Sequence, residues 1–92
     1  MDRFHELNAF IAVVETGGFS AAARTTGDSQ SAISKAIGAL ERRLGVMLFN
    51  RSTRRVTLTD QGRRYYDRTK PLIDEIQDAD SELTKLHWVF QV

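Results

Sequence analysis

Residues 29–45 read SQSAISKAIGALERRLG, and the predicted fold is built around these residues. Its apolar residues are separated by four, three and four positions, the spacing that places side chains on one side of an α-helix. They are Ile33, Ile37, Leu40 and Leu44. Ser29 stands before the row, where a hydroxyl caps the first amides of a helix, and Gly45 stands after it, where a helix ends. The stretch therefore predicts an amphipathic helix that buries its apolar side.

The opposite side of this predicted helix is polar and has no bulky apolar side chain. It carries Gln30, Ser31, Ser34, Lys35 and Gly38. A helix of this kind fits the DNA major groove, where glutamine, serine and lysine side chains bind base edges and phosphates. We therefore interpret it as a recognition helix. Its candidate DNA contacts are Ser29, Gln30, Ser31, Ser34 and Lys35.

The charges are distributed unevenly along the 92 residues, although the formal net charge is only +1. Residues 29–70 hold ten basic and three acidic side chains, and residues 1–28 hold two basic and four acidic ones. Residues 71–92 hold one basic and five acidic side chains. A basic segment around a recognition helix is expected for a protein that binds phosphates. The alternative is a solvated charged surface. The overlap of the basic segment with the recognition-helix pattern favours DNA binding instead.

The composition excludes several classes of function. The chain contains no cysteine, and its two histidines, His5 and His87, lie far apart in the sequence. We therefore expect no metal site, no catalytic residues and no cofactor, and we do not expect an enzyme. Neither a signal peptide nor a run of about 18 apolar residues is present, which predicts a cytoplasmic protein with no membrane partner.

Two shorter helices are predicted before the recognition helix. The first covers about residues 4–16 with apolar side chains at helical spacing. The second has Ser20 as its N-cap, gains helix propensity from three alanines and ends near Gly27. A short helix, a glycine-containing turn and a longer amphipathic helix form a helix-turn-helix. Ser20, at the amide end of the second helix, is a further candidate phosphate contact.

Two short strands with a basic tip are predicted to form a wing after the recognition helix. Residues 46–49 are an apolar run of strand length, and residues 56–58 alternate apolar and polar side chains. Arg54 and Arg55 lie between them, placed to enter a minor groove or to contact phosphates. The alternative is an exposed hairpin with solvated arginines.

The last predicted helix begins after Thr59, a good N-cap, and carries a coiled-coil repeat. Spacings of four and three residues alternate along Tyr65, Thr69, Leu72, Ile76, Ala79, Leu83, Leu86 and Phe90. All of these except Thr69 are candidate dimerisation contacts. Pro71 predicts a kink or a restart within this helix. Because the row extends beyond any element able to cover it, we expect a second copy of the chain to cover it.

Together these patterns predict a mainly α fold. A winged helix-turn-helix of three helices and a two-stranded wing would occupy residues 1–58, and a linker and dimerisation helix residues 59–92. The predicted function is a transcriptional regulator that binds an inverted repeat in double-stranded DNA as a homodimer. The alternative is a protein-interaction module that pairs through the last helix and modulates a full-length regulator.

Over residues 3–70 the sequence resembles the LysR-type transcriptional regulators of bacteria. The resemblance rests on LNAF at 7–10, GFSAAA at 18–23, SQSAIS at 29–34, Ile37, LE at 40–41, LG at 44–45, LFNR at 48–51, LT at 58–59 and Gly62. It implies a winged helix-turn-helix whose linker helix pairs two subunits. It also implies recognition-helix contacts from Gln30, Ser31, Ser34 and Lys35, wing contacts from Arg54 and Arg55, and backbone contacts from Ser20 and Arg51.

Thr26 and Asp28 depart from the family pattern, which usually has apolar residues at both positions. We expect weaker local packing there, with the Asp28 carboxylate available as an extra helix cap. The family also usually continues into an effector-binding domain. We expect that domain to be absent from this chain, so that a small-molecule effector would act only through the missing domain.

Overall fold

The computed structural model describes residues 2–51 and 55–90, with only the backbone described for residues 85–90. Within these ranges the elements are α1 (Arg3–Thr16), α2 (Phe19–Thr26), α3 (Gln30–Leu44), β1 (Phe49–Arg51), β2 (Val56–Leu58) and α4 (Asp60–Phe90). The predicted winged helix-turn-helix followed by a long helix is confirmed. Arg54 and the side chains of Leu86 and Phe90, named above, lie outside the described residues.

The ends of α3 follow the capping signals in the sequence. The Ser29 hydroxyl accepts a hydrogen bond from the Ala32 amide at 3.0 Å, so Ser29 is the N-cap. Gly45 adopts a φ of 72° at the other end, a left-handed conformation that favours glycine. Gly27, with a φ of 79°, ends α2 in the same way and turns the chain into α3. The predicted boundaries of the recognition helix are therefore confirmed.

The core lies where α1 packs against α2 and α3 and where the start of α4 packs against α1. Phe10 is fully buried at its centre, with its ring centroid 5.6 Å from that of Phe49 and 5.5 Å from that of Tyr65. In the described part of the chain the buried apolar residues are Ala9, Phe10, Ile11, Ala12, Val13, Ala22, Ala23, Ile33, Ala36, Ile37, Leu40, Leu48, Phe49 and Ile73.

The first strand of the wing begins later than the sequence predicts. Residues 46–49 were expected to form it, but β1 starts at Phe49 and pairs antiparallel with β2, with Phe49 opposite Leu58. Val46 and Met47 are exposed instead. The Leu48 amide binds a side-chain carboxylate of α3 instead of a partner strand, so the strand ladder begins only at Phe49.

Helix α4 begins at the predicted place and runs on as one helix. Thr59 caps it by accepting a hydrogen bond from the Gly62 amide at 2.9 Å. The helix continues through Pro71, so the predicted restart there does not occur; an interior proline removes a backbone hydrogen bond without ending every helix. No helix within the described ranges is long and apolar enough to cross a membrane.

The first turn of α4 lies very close to the segment before β1. A Cβ atom added at Gly62 would lie 2.1 Å from the Leu48 carbonyl oxygen and 2.8 Å from Cδ2 of Leu58. The same carbonyl accepts a hydrogen bond from the Thr59 amide at 3.0 Å. Only glycine permits this approach, which joins the wing to α4.

Candidate nucleic-acid interface

The N-terminal half of α3 presents its polar side chains to solvent. Four candidate contacts are exposed: Gln30, Ser31, Ser34 and Lys35. On the opposite side Ile33 and Ile37 are fully buried, so this half of the helix cannot rotate without exposing its core side. Ser29 is also exposed, although its hydroxyl oxygen already accepts the capping hydrogen bond. The structure therefore brings the predicted recognition residues together on one accessible surface.

Arg42 extends this surface toward the C-terminal end of α3. Its side chain is exposed and folds back along the helix, so that a Cβ added at Gly38 would lie 3.3 Å from Nη1 of Arg42. Arg42 follows Gly38 by four residues, so the sequence already placed both on one helix face. The absent side chain at Gly38 leaves room for the guanidinium.

Ser20 does not cap α2, contrary to the prediction. The helix begins two residues earlier than predicted, at Phe19, and its N-cap is Gly18. Phe19 is held there by an edge contact with Phe49, with ring centroids 6.2 Å apart. Ser20 instead lies in the first turn, where its exposed hydroxyl accepts a hydrogen bond from Nη1 of Arg24 at 3.2 Å.

The two described arginines of the wing have different surroundings. Arg55 is exposed and directly precedes β2. Arg51, in β1, donates from Nη2 to Oε1 of Glu41 at 2.7 Å, and its guanidinium carbon lies 5.5 Å from the Phe19 ring centroid. The Arg51 side chain remains 38% exposed, so its other guanidinium N–H groups can still reach a phosphate.

Glu41 of α3 is buried, although acidic side chains on a helix usually lie at the surface. It is only 6% exposed. Its Oε2 accepts hydrogen bonds from the amides of Leu48 at 2.8 Å and Phe49 at 3.3 Å. One signal was available, because Glu41 follows Ile37 by four residues and precedes Leu44 by three.

Several basic side chains near the interface are paired with carboxylates. Arg43 of α3 pairs with Glu6 of α1, which is buried. Lys70 of α4 contacts Glu15 at 3.3 Å and Asp74 at 3.0 Å. With the Arg51 pair described above, the count of ten basic residues in 29–70 therefore overstates the charge available for phosphates.

Two side chains of α4, Tyr66 and Lys70, have raised pKa values. The Tyr66 hydroxyl donates to Oε2 of Glu15 at 2.8 Å, and this hydrogen bond, with burial, raises the pKa of Tyr66. The hydrogen bond to Asp74 is the main cause that raises the pKa of Lys70. Both groups therefore keep their proton more strongly in the folded chain, and they tie α4 to α1.

The turn that carries the two departures from the family pattern satisfies its polar groups. The Thr26 hydroxyl donates to the Ala22 carbonyl at 3.0 Å and accepts from the Asp28 amide at 3.4 Å. The Asp28 carboxylate lies 3.8 Å from Nε2 of His5, so it faces α1. Ser29 alone supplies the observed side-chain cap of α3. The expected loss of local packing stays a prediction.

The candidate dimerisation row of α4 is largely uncovered. Leu72 is 58% exposed, Ile76 44% and Leu83 68%. Ala79 is exposed as well, whereas Tyr65 is half-buried against Phe10 of its own chain. Leu72 and Ile76 also border an open apolar groove, whose other walls include Phe4 and Leu7 of α1. The row therefore stands free over most of its described length.

A different residue of α4, Ile73, faces the core and is 4% exposed. It lies beside the repeat rather than within it, and no local signal in the sequence marks it as buried.

Within residues 2–51 and 55–90, no group of three or more histidine, cysteine or acidic residues is placed to hold a metal ion.

A winged helix-turn-helix whose second motif helix, here α3, is exposed and polar is typical of DNA-binding proteins. Residues 4–63 match the family described as bacterial regulatory helix-turn-helix protein, lysR family. The match covers well over half of the chain, so this protein belongs to the LysR family.

Known relatives agree with this assignment. The HTH-type transcriptional regulator CrgA of Neisseria meningitidis serogroup C (strain 8013) is 40% identical over 86 residues, covering 94% of this chain and 29% of that protein. A probable hydrogen peroxide-inducible genes activator of Mycobacterium leprae (strain TN) is 55% identical over 73 residues, covering 79% of this chain and 23% of that protein. The chain thus spans less than a third of the length of these curated relatives.

A solved structure has the same fold. It is the crystal structure of the BenM DNA-binding domain in complex with catB site 1 DNA. The two chains are 30% identical and superpose with a TM-score of 0.84, covering 94% of this chain and 96% of that one.

Proposed function

We propose that this chain is a DNA-binding transcriptional regulator of the LysR type that reads an operator sequence with α3. The observation that carries the proposal is the exposure of Gln30, Ser31, Ser34 and Lys35 on a helix whose other side is fixed in the core. The relatives described above are transcriptional regulators, and the BenM domain was crystallised on DNA. The proposal assigns no enzymatic activity, no cofactor and no metal to this chain.

The contacts of α3 divide by chemistry. The Gln30 amide has a donor and an acceptor and can pair with the edge of an adenine, so we assign it to sequence reading. The Ser29, Ser31 and Ser34 hydroxyls suit bases or phosphates, and Lys35 suits phosphates. Ser20, no longer a cap, keeps its assignment as a backbone contact through its exposed hydroxyl.

The wing contributes affinity more than sequence choice. Arg55 is exposed beside β2, and we propose that it contacts phosphates or enters a minor groove together with Arg54. Arg51 contributes a backbone contact with the part of its guanidinium that stays exposed. Because arginine–phosphate contacts release counterions, wing variants should lower the salt dependence of binding to every sequence.

We further propose that α4 pairs two copies of the chain. The exposed Leu72, Ile76 and Leu83 support this, because such a row on a single helix needs an apolar partner. A two-fold pair presents two α3 helices to an inverted repeat. In this scheme residues 1–58 bind DNA and residues 59–92 pair, with Tyr65, Ala79, Leu86 and Phe90 completing the row.

The proposal also fixes the setting in which the chain acts. A regulator that binds genomic DNA in bacteria works in the cytoplasm and needs no membrane partner. The curated relatives extend far beyond the part that matches this chain. We therefore place any response to a small-molecule effector in a domain outside these 92 residues.

The test is selection of duplexes from a random-sequence library by the purified chain. The proposal predicts an enriched inverted repeat, with half-sites whose centres are about one helical turn, or a multiple of it, apart. In binding to the selected duplex, Gln30→Ala should lose about 1–3 kcal/mol of discrimination at one base pair. Gln77→Ala, at an exposed glutamine of α4, is the matched control and should change nothing.

The uncovered α4 row also supports a second candidate function, a protein-interaction module that pairs with a full-length regulator. Selection distinguishes the two. A library that shows no enrichment, together with weak binding to all duplexes, contradicts DNA reading. Capture of a full-length family member through α4 would then favour the second function.

A further inference from the structure

The most completely built polar site outside the α3 surface lies between α3 and the wing. We call it the wing joint: Glu41, Arg51, Phe19 and the backbone amides of Leu48 and Phe49. It joins the last turns of α3, the start of α2 and the first strand of the wing. The function proposed above does not use Glu41.

Both oxygens of the Glu41 carboxylate have partners in the joint. Oε2 accepts the amides of Leu48 and Phe49, at 2.8 Å and 3.3 Å, and Oε1 accepts Nη2 of Arg51 at 2.7 Å. Glu41 itself is 6% exposed. Charge-assisted hydrogen bonds of this kind are strong and directional when shielded from water, so the carboxylate fixes both the chain path and the arginine.

The arginine of the joint is held from two sides. Its guanidinium carbon lies 5.5 Å from the Phe19 ring centroid, and the Phe19 ring in turn contacts that of Phe49. Cation–π contact and the Glu41 carboxylate together leave Arg51 little freedom. Because Arg51 pairs with Val56 across the sheet, the path of β1 also constrains Arg55, the residue before Val56.

The joint therefore determines where the wing lies relative to α3. For both elements to contact one duplex, the wing arginines and the α3 side chains must reach their phosphates and bases at the same time. Sites of this kind depend on supporting residues that hold the contacting residues within a fraction of an ångström. A wing that has lost the Glu41 contacts can still fold, but its arginines no longer reach their phosphates while the α3 side chains contact the bases.

We propose that Glu41 is a positioning residue for DNA binding, which couples the wing arginines to α3 by fixing the wing joint. The inference rests on the proposed function, since it concerns how that function's two contact surfaces are aligned. A merely structural Glu41 predicts a different result: its loss would lower stability and leave the contribution of the wing to DNA binding unchanged.

The test is a double-mutant cycle on the selected duplex, read by fluorescence anisotropy at about 0.1 M salt. The wing is removed as a contact by Arg54→Ala with Arg55→Ala, in the wild-type and in the Glu41→Gln background. In the wild type, loss of even one phosphate contact should weaken binding about tenfold and lower the salt slope by about 0.9. In the Glu41→Gln background the same wing substitutions should weaken binding less than about twofold.

The matched control is Glu6→Gln. Glu6 is the other buried carboxylate among the described residues and pairs with Arg43, but it joins α1 to α3 and does not touch the wing. In that background the wing substitutions should keep their full effect of about tenfold. Circular dichroism confirms that each variant is folded at the assay temperature, and Glu41→Asp, whose shorter side chain draws the carboxylate away from its partners in the joint, replaces Glu41→Gln in the cycle if the latter does not fold.

An equal loss from the wing substitutions in the wild-type and Glu41→Gln backgrounds overturns the inference, and Glu41 then only stabilises the fold. Failure of the proposed function looks different. In that case the wild-type chain itself shows no preference for any duplex before a variant is made.

Discussion

Helices α3 and α4 carry the same kind of apolar row and use it in opposite ways. In α3, Ile33, Ile37 and Leu40 are 0% exposed because α1 packs over them. In α4, the exposed fractions of Leu72, Ile76 and Leu83 run from 44% to 68%. A spacing of three and four residues predicts a helix and its apolar side in both cases. Whether that side is covered depends on the rest of the chain.

The difference follows from length and position. Helix α4 has 31 residues and is therefore about 46 Å long, far longer than the helices that pack against its start. Among its described side chains, only those of the first turns reach the core, through Tyr65, Tyr66 and Ile73. The α3 row therefore stabilises the monomer, and we expect the α4 row to stabilise an assembly.

The largest expected effect comes from comparing an isoleucine-to-alanine substitution in the α3 row with the same substitution in the α4 row. Ile37→Ala should lower the free energy of unfolding by about 2–5 kcal/mol, because it leaves a cavity in the core. Ile76→Ala should lower it by less than about 0.5 kcal/mol at low protein concentration, because the side chain lies at the surface and is 44% exposed. Urea unfolding of both variants measures the difference. Equal losses would show that the two rows are not used differently.

The second prediction concerns the contact that anchors α4 to the wing. Gly62→Ala should lower the free energy of unfolding by about 1–3 kcal/mol, because the new Cβ collides with the Leu48 carbonyl oxygen. Gly38→Ala is the control, since its Cβ meets only the flexible end of Arg42 and alanine favours a helix interior. Thermal unfolding should therefore separate the two variants. A Gly62→Ala chain as stable as Gly38→Ala would mean that α4 is not held at this point.

The third prediction tests the uncovered row directly. Leu72→Asp should weaken self-association at least tenfold, about 1.4 kcal/mol, because a charge is costly in an apolar interface. Gln77→Asp places the same charge on another side of α4 and should leave self-association intact. Sedimentation equilibrium measures both. A Leu72→Asp chain that associates as the wild type does would move the pairing surface elsewhere.

The fourth prediction separates folding from DNA contact within the first turn of α3. Ser29→Ala should lower the free energy of unfolding by about 1 kcal/mol, because it removes the bond to the Ala32 amide. Ser31→Ala, two residues on and exposed, should leave stability unchanged and weaken DNA binding. Melting curves and anisotropy on the selected duplex test the pair. The reverse pattern would exclude Ser29 as the cap that matters.

The smallest expected effect is a dependence of stability on alkaline pH. The pKa of Tyr66 is raised in the folded chain, so its contribution is present below about pH 10 and is lost as the pH rises through the folded pKa. The raised pKa of Lys70 acts in the same direction and the same range. Tyr66→Phe should therefore reduce the fall in melting temperature between about pH 9 and 11 relative to the wild type.

Tyr65→Phe is the control for this pH dependence, because it leaves the Tyr66–Glu15 hydrogen bond in place. Its melting temperature should fall with pH as that of the wild type does. The effect is small because the groups lie near solvent. Identical pH profiles for Tyr66→Phe and the wild type would show that the Glu15 hydrogen bond does not contribute.

The local part of the fold was predictable from the sequence. Ser29 and Gly45 marked the ends of α3, Thr59 marked the start of α4, and the helical period placed Gln30 and Lys35 on the exposed side. Each of these depends on residues within one or two turns of each other, where caps and periodicity act. The winged helix-turn-helix followed from their order.

The parts that were missed depend on contacts between distant segments. Glu41 is buried because the amides of Leu48 and Phe49 and the Arg51 side chain converge on it, and a carboxylate on a helix otherwise indicates a surface position. β1 begins at Phe49 rather than at the predicted residue 46 for the same reason, because the Leu48 amide binds Glu41. Ile73 is buried by packing against other helices, so the coiled-coil repeat of α4 could not show it.

The most direct test of this account compares two duplexes in one anisotropy titration: the selected inverted repeat, and the same duplex with one half-site scrambled. If α4 holds two α3 helices on one face of DNA, the scrambled duplex should bind at least tenfold more weakly than the intact repeat. Equal affinity for the two duplexes would contradict pairing through α4, because the two copies would then not be reading one operator together.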